Sequence, residues 1–256
     1  MEKPARSGRS FACRHRRFEL AAQPPWTLVM AIISSAAPDS FLPFSSKTCM
    51  VGYAMPFDIQ EQFGQIDIYV FDQILRGNIT REMRVLDAGC GYGRNLVYLL
   101  REGCEIFALD ASSEGVEHVR NLSASLETGL PAENFQVGPL EQMPFPDALV
   151  DVVLCNSVLH FARDEDHFRA MLAEMWRVLR PGGLFFCRLG SRIGMDFEEV
   201  DVDKFVIGDG SVWYLVDEDM LLELTAELNA ILVDPLKTTI VQDYRCMTTW
   251  VLRKRR

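Results

Sequence analysis

No stretch of this chain approaches the ~20 consecutive apolar residues of a membrane-crossing helix, so no membrane association is expected. No Cys-x-x-Cys pair occurs either. The seven cysteines, Cys13, Cys49, Cys90, Cys104, Cys155, Cys187 and Cys246, are odd in number and scattered. That excludes a disulfide framework and a zinc site by spacing, and no metal is expected. Reduced, mostly buried thiols that pack as small hydrophobes are the simplest reading, including Cys155 and Cys187 on neighbouring strands. Internal repeats and low-complexity segments are also missing.

Positive charge is scarce in the body of the protein. The 256 residues carry a net charge of −10, yet residues 1–25 contribute +4 and the tail 253–256 another +4. Residues 55–252 therefore sum to −18. Such a body repels a phosphate backbone, so no nucleic-acid substrate is expected. The same charge favours a neutral or cationic small partner. With 48% hydrophobic residues the chain can bury one large α/β core.

The N-terminal region is the one targeting-like stretch. Arg16-Arg17 precede PPWTLVMAIISSAAP, which loosely combines the basic, apolar and small-residue parts of a secretory leader. Pro24-Pro25 and Glu19 interrupt it. A cytoplasmic protein is expected, with 1–54 a disordered or over-extended segment and a single domain over 55–256.

From there, periodicity alternates between helix and strand. Ile59, Phe63, Ile66, Val70 and Ile74 predict a helix over 57–76. Strands are expected near 83–87, 105–110, 134–138, 151–156 and 184–190. Helices are expected over 95–101, after a Ser113 cap, and after an Asp164 cap with Phe168, Met171, Leu172, Met175 and Leu179 inward. Such alternation implies a doubly wound, mostly parallel Rossmann-like sheet of seven strands. Residues 191–212 read as an irregular acidic insert or lid, followed by a helix near 217–229. The last two strands, 236–242 and 247–252, are separated by Asp243–Cys246, too few residues for a crossover. They must pair antiparallel.

Chemistry concentrates in VLDAGCGYGRN, residues 85–95. The spacing is Gly-x-Gly-x-Gly, with Arg94 and Asn95 where a dinucleotide fingerprint continues to its last glycine. Asp110 closes the next strand, 17 positions past Gly93, where a carboxylate can accept both ribose hydroxyls of an adenosine. Asp87 stands just before the first glycine. It would repel a pyrophosphate and attract an ammonium or sulfonium. Together the two acids select a cationic adenosine cofactor over an anionic one.

At this point the chain resembles the class I S-adenosylmethionine-dependent methyltransferases, small-molecule type (methyltransferase type 11/12-like). VLDAGCGYG looks like that family's first motif. ALDAS (108–112), GPLEQMPFPDALVDVVLCNSVLHF (138–161) and EMWRVLRPGGLFF (174–186) resemble its later ones. The resemblance covers roughly 57–252. It implies that Gly89, Cys90, Gly91 and Gly93 pass under the methionine part of S-adenosylmethionine and that Asp87 stands near its amino group. Asp110 would take the ribose, Ala111 and Ser112 would flank adenine, and Asn156 would sit where methyl meets acceptor. The family often places Asp at the position of Pro139. Here adenine recognition falls to the Leu140 backbone or to Glu141.

Methyl transfer needs a general base only if the acceptor must lose a proton, so no triad is required. His160 is the candidate base, with Asn156 beside the reaction. Tyr69, with Phe63, and Tyr92 are candidate covers of an acceptor pocket. Arg188 is a candidate holder of an anionic substrate. Each has a packing or ion-pair alternative. Two other functions compete: a nicotinamide-dependent oxidoreductase, and a catalytically silent S-adenosylmethionine-binding protein.

Overall fold

The computed structural model describes residues 58–256. The expectations for 1–54, including the leader-like run, Cys13 and Cys49, lie outside the described residues.

Two helices, not one, open the domain: α1 (Ile59–Phe63) and α2 (Ile68–Leu75). The break falls at Gly64, whose φ of 62° lies in the left-handed region. A Cβ there would also come within 2.7 Å of Val97 Cγ2, so the chain crosses closely over the following segment. Asp58 and Asp67 cap the two helices, accepting from the amides of Gln60 and Tyr69 at 2.8 and 2.9 Å. Ile59, which begins that helical spacing, is 65% exposed, whereas Val70 is buried.

The alternation that follows is as expected. It runs β1 (Arg84–Ala88), α3 (Val97–Arg101), β2 (Glu105–Asp110), α4 (Ser113–Ser125), β3 (Phe135–Val137), β4 (Val150–Asn156), α5 (Glu165–Val178) and β5 (Leu179–Gly190). Ser112, rather than Ser113, caps α4, accepting from the Gly115 amide at 3.2 Å. Asp164 caps α5 by accepting from the His167 amide at 2.8 Å. Leu179, expected as the last inward residue of that helix, instead opens β5. Val150 pairs with Leu179 and Val152 with Leu184, so Arg180–Gly183 bulge out of the ladder.

Residues 191–212 are not wholly irregular. β6 (Glu198–Asp201), β7 (Lys204–Val206) and β8 (Val212–Tyr214) form a separate antiparallel sheet. Phe205 and Trp213 hold it through a small cluster with Ile207, Leu215 and Met247. The chain ends with α6 (Glu218–Glu227), β9 (Ala230–Leu232), β10 (Lys237–Val241) and β11 (Arg245–Lys254).

The main sheet runs β10-β11-β5-β4-β1-β2-β3, with β11 antiparallel to both neighbours. These are the seven strands expected. A short eighth, β9, pairs with the end of β11, Leu232 opposite Leu252. One face buries Val153, Phe185 and Trp250 with α5 and α6. The other buries Val85, Ile106, Phe186 and Val251 with α2, α3 and α4. Covering both faces explains why β4 is buried along its whole length. The five described cysteines are free and buried. Cys155 and Cys187 are register partners inside the core, and burial raises the Cys187 thiol far above its ordinary range. Among the described residues no helix is long and apolar enough to cross a membrane.

Candidate active site

Strand order reverses between β1 and β4, and in such sheets the crevice outside the strands' carboxyl ends at that point binds ligands. A cleft of about 780 Å³ lies there. The glycine loop forms one wall and the residues after β3 and β4 the others.

The loop leaves β1 at Gly89. Its amide donates to Leu109 O at 2.8 Å, its φ is 80°, and a Cβ would lie 2.4 Å from Val158 Cγ2. Only glycine fits that packing. At Gly91 the situation differs. Its φ is 49°, and an added Cβ would meet no atom within 4 Å. Gly91 lines the cleft, so the space beside it is left for something other than protein. Gly93 faces away, against Val119 of α4.

Asp87 lies beneath this loop, 2% exposed. Burial pushes its carboxyl up to about 7. Asp110 adds to the rise, and Arg94 opposes it. A cation arriving above the loop would meet a group ready to become negative. Asp110 itself lines the cleft. Its Oδ2 accepts from the Gly91 amide and its Oδ1 from the Ser112 amide, both at 2.8 Å. Ala111 also lines the cleft, whereas Ser112 is engaged as the α4 cap.

Across the cleft stand Pro139, Leu140 and Glu141. Glu141 is half-buried and held from α5. His167 Nδ1 accepts from the Arg163 amide at 3.1 Å, which leaves the proton on Nε2, 3.3 Å from Glu141 Oε1. Arg163 reaches the same oxygen at 3.7 Å. Backbone hydrogen bonding and then the His167 contact hold the Glu141 carboxyl below its ordinary range, against burial. Sequence reasoning missed Arg163, His167 and Phe161, which line this end of the cleft. They come from the turn and helix after β4, and no motif marks them.

Asn156 ends β4 and lines the cleft. Its Oδ1 accepts from Arg94 Nη2 at 2.8 Å and Ser157 Oγ at 2.9 Å. His160 is not a cleft residue. It is 1% exposed, stacks on Trp213 at 4.0 Å, and its Nδ1 accepts from the Gly190 amide at 3.1 Å. Burial lowers its pKa to about 3, aided by Arg245 and Arg188. This geometry removes it as a base: the ring is a neutral packing element. Tyr69 does not line the cleft. Its hydroxyl lies 2.8 Å from Thr239 Oγ1 and its ring 5.3 Å from the Arg188 guanidinium. Phe63 stacks on Tyr98, ring centroids 5.0 Å apart. Tyr92 does stand on the cleft rim, exposed and edge-on to His118. Arg188 pairs with Asp67 at 3.5 Å.

A doubly wound sheet with a glycine loop at its reversal point, and an acid closing the next strand, defines a nucleotide-cofactor-binding α/β domain. The chain matches, over residues 86–187, the family model described as a methyltransferase domain. It is 31% identical over 128 residues to a malonyl-[acyl-carrier protein] O-methyltransferase of Serratia marcescens, covering 48% of this chain and 46% of that protein. The chain thus spans less than half the length of the curated relatives it matches. Among solved structures, a Burkholderia thailandensis 1,6-didemethyltoxoflavin-N1-methyltransferase superposes with a TM-score of 0.57 at 21% identity, over 78% of this chain and 82% of that one. The [4+2]-cyclase SpnF superposes equally well, TM-score 0.57 at 16% identity, over 73% and 81%. The shared fold therefore does not by itself set the reaction.

Proposed function

We propose that the protein binds S-adenosylmethionine in this cleft and transfers its methyl group to a small-molecule acceptor by in-line displacement. The observation that carries the reading is the pair of carboxylates around the Gly91 turn, Asp87 beneath it and Asp110 beside it. Two acids there disfavour a pyrophosphate and favour a cation, whatever the exact dielectric. The cofactor supplies a methyl group on a sulfonium, which leaves as a neutral thioether.

The chain's own residues bind, orient and exclude water. Gly89, Cys90 and Gly91 give a backbone wall, while Gly93 fixes the loop on α4. Asp87 balances a positive amino group. Asp110 accepts the ribose hydroxyls. Ala111 flanks adenine with Ser112 anchoring its strand end, and Leu140 and Glu141 read the adenine edge. Asn156 stands where methyl and acceptor meet. With His160 sealed in the core, the alignment of reactants supplies most of the rate, and acceptors that need no deprotonation are favoured.

The Gly-x-Gly-x-Gly spacing and the antiparallel β10–β11–β5 edge count against a nicotinamide-dependent oxidoreductase. A catalytically silent binding protein is separated by turnover. An acceptor screen that follows S-adenosylhomocysteine release tests the function. Release with at least one acceptor supports it. Binding of NADH, seen by fluorescence, with no binding of S-adenosylmethionine would overturn it.

A further inference from the structure

Asn156 lines the cleft, and behind it a polar row continues along the sheet. Asn156, Arg188 and Thr249 are register partners on β4, β5 and β11, so their side chains share one face of the sheet. It is the face buried under α2. Each of the three carries a buried side-chain atom without a partner: Asn156 Nδ2, Arg188 Nε and Thr249 Oγ1. Buried polar atoms are normally paired, and three orphans in one row are not an accident of packing. Two of them are donors only. The amide orientation of Asn156 is fixed, because its Oδ1 already takes Arg94 and Ser157; Nδ2 is the free end.

The charge of this corner runs against that of the body. Arg94 and Arg188 both approach it, and among the described residues Asp67 is the one carboxylate within ion-pair distance of either. It lies 3.5 Å from Arg188 and 3.8 Å from Arg94, longer than a direct charge-assisted hydrogen bond. Asp67 is itself held elsewhere, as the α2 cap through the Tyr69 amide and by its own amide to Asn95 Oδ1. Asp87 also acts on Arg94, but it is the partner of the cofactor's amino group; with Asp87 so engaged, two guanidinium groups share one fixed carboxylate, leaving one positive charge unmatched.

We infer that the acceptor carries a carboxylate, which the row Asn156, Arg188 and Thr249 receives at the β4 end of the cleft. This rests on the methyltransferase reading and names its substrate class. A single negative charge matches the one unmatched guanidinium. A phosphate dianion would leave the corner negative inside a body already at −18. The acidic body alone pointed to a neutral or cationic acceptor; the local arrangement reverses that expectation.

The test uses an isosteric pair, benzoate and benzamide, titrated onto the full chain holding S-adenosylhomocysteine and read by ligand-observed NMR. Benzoate should bind at least about tenfold tighter than benzamide, the scale of a charge-assisted contact. Arg188→Gln should remove that preference while the Kd for S-adenosylhomocysteine stays within about twofold, and Arg188→Lys should restore part of it. Because Arg188→Gln leaves Asp67 with only its longer contact to Arg94 at 3.8 Å, Arg94→Gln serves as a second variant and should weaken benzoate selectively. Equal binding of the two probes, no benzoate binding at millimolar concentration, or an undiminished preference in both glutamine variants overturns the inference. Failure of S-adenosylhomocysteine to bind instead sinks the methyltransferase reading, and the probe comparison on the free protein still decides the anion subsite.

Discussion

The Gly91 amide donates to Asp110 Oδ2 at 2.8 Å, tying the glycine loop to the acid at the end of the neighbouring strand. The other oxygen of Asp110 is held by the Ser112 amide, so the carboxylate is oriented before any ligand arrives. Each oxygen keeps a further acceptor position. The loop and the acid are therefore one device.

Two glycines of that device should respond oppositely to alanine. Gly89→Ala forces a methyl group against Val158 on top of a left-handed backbone cost, and should destabilise the fold by about 2–5 kcal/mol. Gly91→Ala meets no atom and should cost only about 1–2 kcal/mol for its left-handed backbone. It points into the cleft, however, and should abolish cofactor binding. Urea denaturation and calorimetry on both variants check this. A Gly91→Ala protein that binds as well as wild type contradicts the assigned path of the ligand.

Asp87 predicts a pH-dependent affinity. Its carboxyl is raised to about 7, so in the free protein it is mostly protonated below that pH. A cationic ligand favours the carboxylate and drives the proton off. S-adenosylmethionine should therefore bind more tightly as pH rises toward 7, by up to about tenfold per pH unit for one linked proton. Calorimetry in buffers of different ionisation enthalpy should show proton release. Asp87→Asn should flatten the profile.

His160 predicts a stability effect without a catalytic one. Its folded pKa of about 3 lies below the ordinary 6.5. Its contribution is present above pH 6.5 and lost as pH falls toward 3, because the unfolded chain takes up a proton that the native ring refuses. Relative to His160→Gln, wild type should lose about 1.4 kcal/mol per pH unit across that window. Asp87 acts with the opposite sign over roughly 3.8 to 7, so the comparison between variants, not the wild-type curve alone, isolates the histidine. A parallel pair of pH–stability curves contradicts the buried neutral ring.

Glu141 separates the two adenine readings. If its carboxylate takes the exocyclic amine, Glu141→Ala should weaken S-adenosylmethionine by about 1–3 kcal/mol. Inosine-containing analogues, which lack that amine, should lose the same amount on wild type and nothing further on the variant. An unchanged Kd assigns adenine to the Leu140 backbone.

Much of the fold was legible because its signal is dense. DVVLCN is buried on both faces and reads as a central strand from composition alone. The β10–β11 hairpin followed from the shortness of its turn. The helix break at Gly64 was hidden, since Phe63, Ile66 and Val70 keep helical spacing across it. Strands β6–β8 were hidden for the converse reason: β6 offers one apolar residue among acids, β7 and β8 are three residues each, and of these strands only Phe205 and Trp213 join the small cluster beneath the sheet. In the site, the loop and its acid were legible from chemistry at fixed spacing. His160 was misread because nearness to a strand end in sequence does not say which way a ring turns. Arg163 and His167 were invisible because their position depends on how α5 folds back over the cleft.

The central claim is that the Gly91–Asp110 device holds an adenosine cofactor with a positive charge. Calorimetric titration of the full chain with S-adenosylmethionine tests it, alongside Asp110→Ala. Saturable binding that weakens by about 1–3 kcal/mol in the variant, with both proteins equally folded, is the expected result. No binding to wild type, or equal binding to both, would contradict it.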